Sequence, residues 1–128
     1  MVIKKVSLPF RERQALQEFV AYLRKRLSNQ VEFVALFGSK ARGDSGPDSD
    51  VDVLVVLSRE DREIRREILI AAARLSLEYD VLLSPRVIGA ERWEKMRDFS
   101  LYRNVQRESV SLGLADGKLM LETPRESL

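Results

Sequence analysis

The sequence predicts an α/β fold of the α+β type, a small mixed β-sheet with helices packed on it. Three observations predict it. Residues 10–28 place Leu16, Phe19, Val20, Leu23 and Leu27 at helical spacing, which makes one buried face. The stretches 31–37 and 50–57 are short, apolar and rich in Val, as buried strands are. A second helical pattern, with Ile64, Ile68, Ala71, Ala72 and Leu75 on one face, then leads to a third apolar run at Tyr79–Ser84. That order gives a strand–helix–strand crossover and two parallel strands.

Composition narrows the chemistry. With 128 residues, 45% hydrophobic and 33% charged, the expectation is one domain over 1–128 with a core at about 10–112. There is no Cys and no His, which excludes disulfides, thiolate sites and histidine acid–base catalysis within the chain; any metal must be held by oxygen. No apolar run approaches the ~18 residues that span a bilayer, and Met1–Val6 lacks the apolar region of a signal peptide. A cytoplasmic protein without membrane contact is expected. A net charge of +2 does not by itself indicate direct nucleic-acid binding.

In order, Ser7 or Pro9 begins the first helix, with Arg11, Glu12, Arg13, Gln17 and Glu18 mostly on its wet side. The first strand ends at Gly38-Ser39, and Ser39–Arg42 makes one helical turn before a Gly/Ser/Pro loop at 43–49. The connection is too short for a crossover, so the first two strands are antiparallel neighbours. Ser58 is the expected N-cap of the second long helix, with Glu60, Asp61 and Glu63 in its first turn. Ile70 and Leu77 lie off its apolar stripe and complete the core or mark a partner surface. Pro85–Gly89 leaves the third strand, short helices follow at 90–96 and 100–109, and Asp116-Gly117 signals a small hairpin within a tail at 113–128.

Asp50 and Asp52 are two apart on a strand and share one face, while Val51, Val53 and Val55 take the other. Turn residues explain Asp48 and Asp50, but a carboxylate inside an apolar strand needs a cation beside it. Two carboxylates on one face suit Mg²⁺, and a pair of ions ~3.5–4 Å apart would clamp a displacement at phosphorus. Free N–H groups at Gly38-Ser39 suit phosphate. Lys40 and Arg42 read as solvated cations, or as phosphate ligands, Arg42 the better of the two.

Ten residues, 40–49, separate Ser39 from Asp50. The resulting Gly-Ser-x10-Asp-x-Asp pattern, with its Ala-Arg-Gly insert, resembles the DNA polymerase β-type nucleotidyltransferase superfamily, and the short chain resembles its minimal nucleotidyltransferases (MNT). The resemblance implies an αβαβαβ core and transfer of AMP from ATP to a hydroxyl. It implies that Gly38, Ser39 and Arg42 hold the nucleotide and that Asp50, Asp52 and Asp80 are catalytic ligands of two Mg²⁺ ions, with Asp80 at the start of the third strand. It also implies a helical HEPN-type toxin as partner, in a toxin–antitoxin pair, as homo- or hetero-oligomer. The alternatives are transfer to a small molecule or RNA end, and a partner-binding antitoxin without enzymatic activity.

Overall fold

The structure is a computed structural model that describes residues 6, 8–43, 46 and 49–122. Helix α1, Phe10–Arg26, leads into strand β1, Val31–Phe37, and the short helix α2, Gly38–Arg42. Strand β2 is Val51–Leu57, helix α3 Arg62–Tyr79 and strand β3 Leu83–Gly89. Helices α4, Ala90–Lys95, and α5, Ser100–Glu108, precede the hairpin of β4, Val110–Ala115, and β5, Lys118–Glu122.

The strands form one mixed sheet in the order β3-β2-β1-β4-β5. β1 and β2 are antiparallel with Phe37 opposite Asp52. β2 and β3 are parallel, with Asp52 opposite Ser84 and Leu54 opposite Arg86. The expected fold class and both strand senses are therefore present. The tail adds more than a detached hairpin: β4 joins the main sheet against β1. That contact is brief, with register partners only at Ala35–Ser111 and Leu36–Val110. Beyond it the strands splay around a cavity of about 280 Å³ lined by residues that include Leu23, Val31, Val34 and Leu112. The β4–β5 turn is Asp116-Gly117, with φ 52° and 76°, the left-handed pair a two-residue hairpin requires.

The period of two along β2 builds two cores. Val51, Val53, Val55 and Leu57 pack with Leu16, Phe19, Leu23, Ile68 and Leu75 of α1 and α3. Leu54 and Val56 pack on the other face with Ile88, Trp93 and Val105. Asp52 belongs to this second face by alternation.

Several boundaries differ from the sequence expectation. The N-cap of α3 is Asp61, whose Oδ1 accepts a hydrogen bond from the Ile64 N–H at 3.0 Å. Ser58 instead closes the end of β2, its N–H donating to the Gln30 carbonyl at 2.8 Å. The third strand is displaced: of the run 79–84 only Leu83 and Ser84 belong to it. The helical repeat of α3 continues through Tyr79, Asp80 caps it with a left-handed φ of 53°, and β3 begins only at Leu83. β3 passes through Pro85 because it is an edge strand, where a missing N–H is tolerated. Ile70 and Leu77 are exposed rather than part of the core, at 57% and 87%. Ser7, Asp44, Asp48 and the tail 123–128 lie outside the described residues. Among the described residues, no helix is long and apolar enough to cross a membrane.

Candidate active site

The site forms where β1 ends beside the start of β2. Gly38 carries φ +75°, and a Cβ built on it would lie 2.4 Å from Asp52 Oδ2. No other residue type fits: an L side chain is strained at that φ and would collide with the carboxylate. The Gly-Ser turn and the Asp-x-Asp strand are thus pressed together in space, as their spacing in the sequence predicts. α2 follows at once and is closed by Gly43, φ 81°, whose N–H donates to the Ser39 carbonyl at 3.0 Å.

Asp52 is half-buried on β2 and Asp50 is exposed just before that strand. Burial, and next the charge of Asp50, push the Asp52 carboxyl above its usual value, while Arg86 and then Arg42 pull it back. Two hard oxygen donors that repel each other fit a divalent cation such as Mg²⁺, which takes one or two carboxylates and completes its shell with water and phosphate oxygens. Arg42 stands at the end of α2 with Nη1 3.6 Å from Glu108 Oε2, joining α2 to α5.

The third expected carboxylate is placed elsewhere. Asp80 caps α3, its side chain is 93% exposed, and its Oδ2 lies 3.4 Å from Arg11 Nη1 on α1. It therefore belongs to the α1/α3 side of the sheet, whereas Asp52 shares the opposite face with Leu54. The residue in register with Asp52 on β3 is Ser84. Among the described residues, no three acidic side chains gather closely enough to hold a metal ion. The structure brings Gly38 and Asp52 together at the sheet edge where Ser39 and Asp50 also lie; it does not bring Asp80 to them.

One feature escaped the sequence reading. Lys40 and Glu12 are not wet: they form a buried ion pair, with Nζ 2.8 Å from Oε1 and side chains 2% and 8% exposed. Lys40 Nζ also donates to the Gly46 carbonyl at 3.4 Å. This pair ties α1 to the α2 turn, and Lys40 extends the tie to Gly46. The signal was present, because Glu12 falls three and four residues before Ala15 and Leu16, on the apolar stripe of α1. A charge on such a stripe demands a buried partner.

The chain is similar to known proteins in sequence and in fold. The family model described as nucleotidyltransferase domain matches residues 16–110. A Methanocaldococcus jannaschii protein provisionally named a protein adenylyltransferase is 33% identical over 98 residues, 76% of this chain and 93% of that protein. A solved structure provisionally described as a minimal nucleotidyltransferase has a TM-score of 0.51 at 24% identity, covering 86% of this chain and all (100%) of that one. A mutant form of the toxin–antitoxin MntA-HpeT has a TM-score of 0.50 at 21% identity, covering 79% of this chain and 73% of that one. These last two share the fold. The chain belongs to the nucleotidyltransferase domain family.

Proposed function

We propose that this nucleotidyltransferase moves AMP from ATP to a hydroxyl side chain of a protein, releasing pyrophosphate as the hydroxyl gives up its proton, and that the acceptor is a HEPN-type toxin which it neutralises. The observation that carries the reading is the seating of Asp52 Oδ2 against Gly38, 2.4 Å from where a Cβ would stand. That closeness supports assigning the phosphate to the turn and the cation to the carboxylate beside it. The name of the M. jannaschii relative supports the protein acceptor, and the toxin–antitoxin neighbour, which shares the fold, supplies the kind of partner.

In this reading Ser39 and the Gly38 backbone receive the β- and γ-phosphates. Arg42 adds a planar guanidinium for phosphate oxygens. Asp50 and Asp52 hold Mg²⁺. When bound, the cation neutralises phosphate charge and acidifies the acceptor hydroxyl. The remaining catalysis is positioning: the Lys40–Glu12 pair fixes the turn that orients the triphosphate. Asp80, engaged with Arg11, stands outside this site.

The test is to co-express the chain with the product of the neighbouring gene and record the intact mass of that partner after ATP and Mg²⁺ are added. A gain of one or more adenylyl units, lost in Asp50→Asn/Asp52→Asn, is expected. A partner that co-purifies yet stays unmodified removes the enzymatic mechanism and leaves neutralisation by binding.

A further inference from the structure

Asp52 lies on the middle of three strands, and its two flanks differ. On the β1 side its register partner is Phe37, followed at once by the Gly-Ser turn and, at the end of α2, by Arg42. On the β3 side its partner is Ser84, and two residues further on Arg86 stands opposite Leu54. Alternation puts Ser84 and Arg86 on the face that carries Asp52.

β3 is the outermost strand of the sheet. Arg86 is exposed there; its backbone belongs to the ladder with β2, while its guanidinium is without a hydrogen bond or salt bridge to the described residues. Leu82, just before the strand, is 58% exposed. The charge of Arg86 still reaches the site, since it acts on the Asp52 carboxyl ahead of Arg42.

We propose that Arg86 recognises the acceptor: it receives an acidic side chain that flanks the hydroxyl to be modified, on a protein segment approaching over the outer strand. The assignment rests on the nucleotidyl-transfer reading above. Strands β1 and β3 are ~10 Å apart across β2, so the two arginines bracket the carboxylates from opposite sides. Arg42 and the Gly-Ser turn occupy the flank where the triphosphate lies. The other flank is open at the sheet edge, and the acceptor enters there. A guanidinium takes a carboxylate bidentately, and exposed Leu82, four residues before Arg86, offers the segment an apolar contact further along the same edge.

The experiment uses the full chain with Mg²⁺ and a non-hydrolysable ATP analogue. Fluorescence anisotropy measures binding of a random Glu-Tyr copolymer, a Lys-Tyr copolymer and a short RNA. AMP incorporation into each polymer from ATP is measured separately. The parent is expected to bind the Glu-Tyr polymer about 10-fold tighter than the Lys-Tyr polymer. Arg86→Ala removes that preference and Arg86→Lys, which keeps the charge, keeps part of it, both with affinity for the ATP analogue within about 2-fold of the parent. A preference that survives Arg86→Ala overturns the proposal. Loss of ATP-analogue affinity in Arg86→Ala overturns it in favour of a triphosphate ligand, and Arg86-dependent binding of RNA alone overturns it in favour of a nucleic-acid acceptor. An Arg86-dependent preference without AMP incorporation into any polymer leaves the acceptor site standing and removes the proposed transfer chemistry.

Discussion

Two ion pairs start one residue apart on α1 and could hardly differ more. Arg11 reaches Asp80 at 3.4 Å with side chains 65% and 93% exposed. Glu12 meets Lys40 at 2.8 Å with both side chains buried. In water the first is screened and contributes between nothing and ~1 kcal/mol. The second has lost its hydration, so each partner depends on the other. Both join one cation to one carboxylate far away in the sequence; burial decides which one holds the candidate active site together. The third aspartate of the expected catalytic set takes part in the weak pair, and a lysine read as surface takes part in the strong one.

The comparison breaks most sharply at Lys40. Lys40→Met leaves the Glu12 carboxylate buried without its cation, and should cost ~3–5 kcal/mol of stability. Urea unfolding followed by circular dichroism measures it. A loss below ~1 kcal/mol would show that Glu12 finds water, and the buried pair would lose its special standing.

The second variant separates charge from position. Glu12→Leu/Lys40→Met removes both charges and should return stability to within about 1–2 kcal/mol of the parent, or above it. The tie from Lys40 to the Gly46 carbonyl is still gone. AMP transfer should therefore stay reduced by about 10-fold or more, as expected when a positioning contact is lost. Full recovery of both stability and transfer would reduce the pair to a core element.

Asp52 lies between the two extremes, half-buried and beside a like charge. Its carboxyl is raised above the ordinary 3.8 by burial first and by Asp50 next. The folded state therefore keeps the proton at pH values where the unfolded chain has released it. The contribution of Asp52 to the stability of the metal-free protein is fully present below that ordinary value and is lost as pH rises through the raised one. Thermal melts across the acid range should show this slope in the parent and lose it in Asp52→Asn. Mg²⁺ at neutral pH should raise the melting temperature of the parent and not of Asp52→Asn.

The smallest effect belongs to the exposed pair. Arg11→Ala and Asp80→Ala should each change stability by less than ~1 kcal/mol. Asp80→Ala should leave AMP transfer within about 2-fold, the level of a surface change. A large loss of transfer in Asp80→Ala, with stability intact, would bring that carboxylate back into the site.

The same contrast explains what could be read from the sequence. The site turn was legible because two local rules meet there: a period-two apolar strand with carboxylates on one face, and a glycine at the strand end. Both are visible in Gly38-Ser39 and Asp50-Val51-Asp52. The Lys40–Glu12 pair was half legible: the place of Glu12 on the apolar stripe of α1 signals a buried charge, but nothing local names Lys40, 28 residues away, as its partner. Asp80 was misplaced because Tyr79–Ser84 looks like a strand and Pro85 looks like its end. The structure resolves both in the other direction. A left-handed cap stops α3 at Asp80, and the edge position of β3 admits the proline. The exposed Arg86 had no local signal, because its place opposite Leu54 depends on the parallel register alone.

The short contact between β1 and β4 has a kinetic consequence. Only two residue pairs join the hairpin to the rest of the sheet, whereas β1 and β2 share six. Beyond those two pairs the hairpin is held by side chains: Leu112 and Leu119 in the core, and Gln17, which accepts a hydrogen bond from the Leu119 N–H at 2.9 Å. A unit held this way opens by itself before the whole molecule does. Amide protons of β5 should exchange with solvent well ahead of those in β1 and β2, so the hairpin would be released while the Gly38–Asp52 contact remains closed.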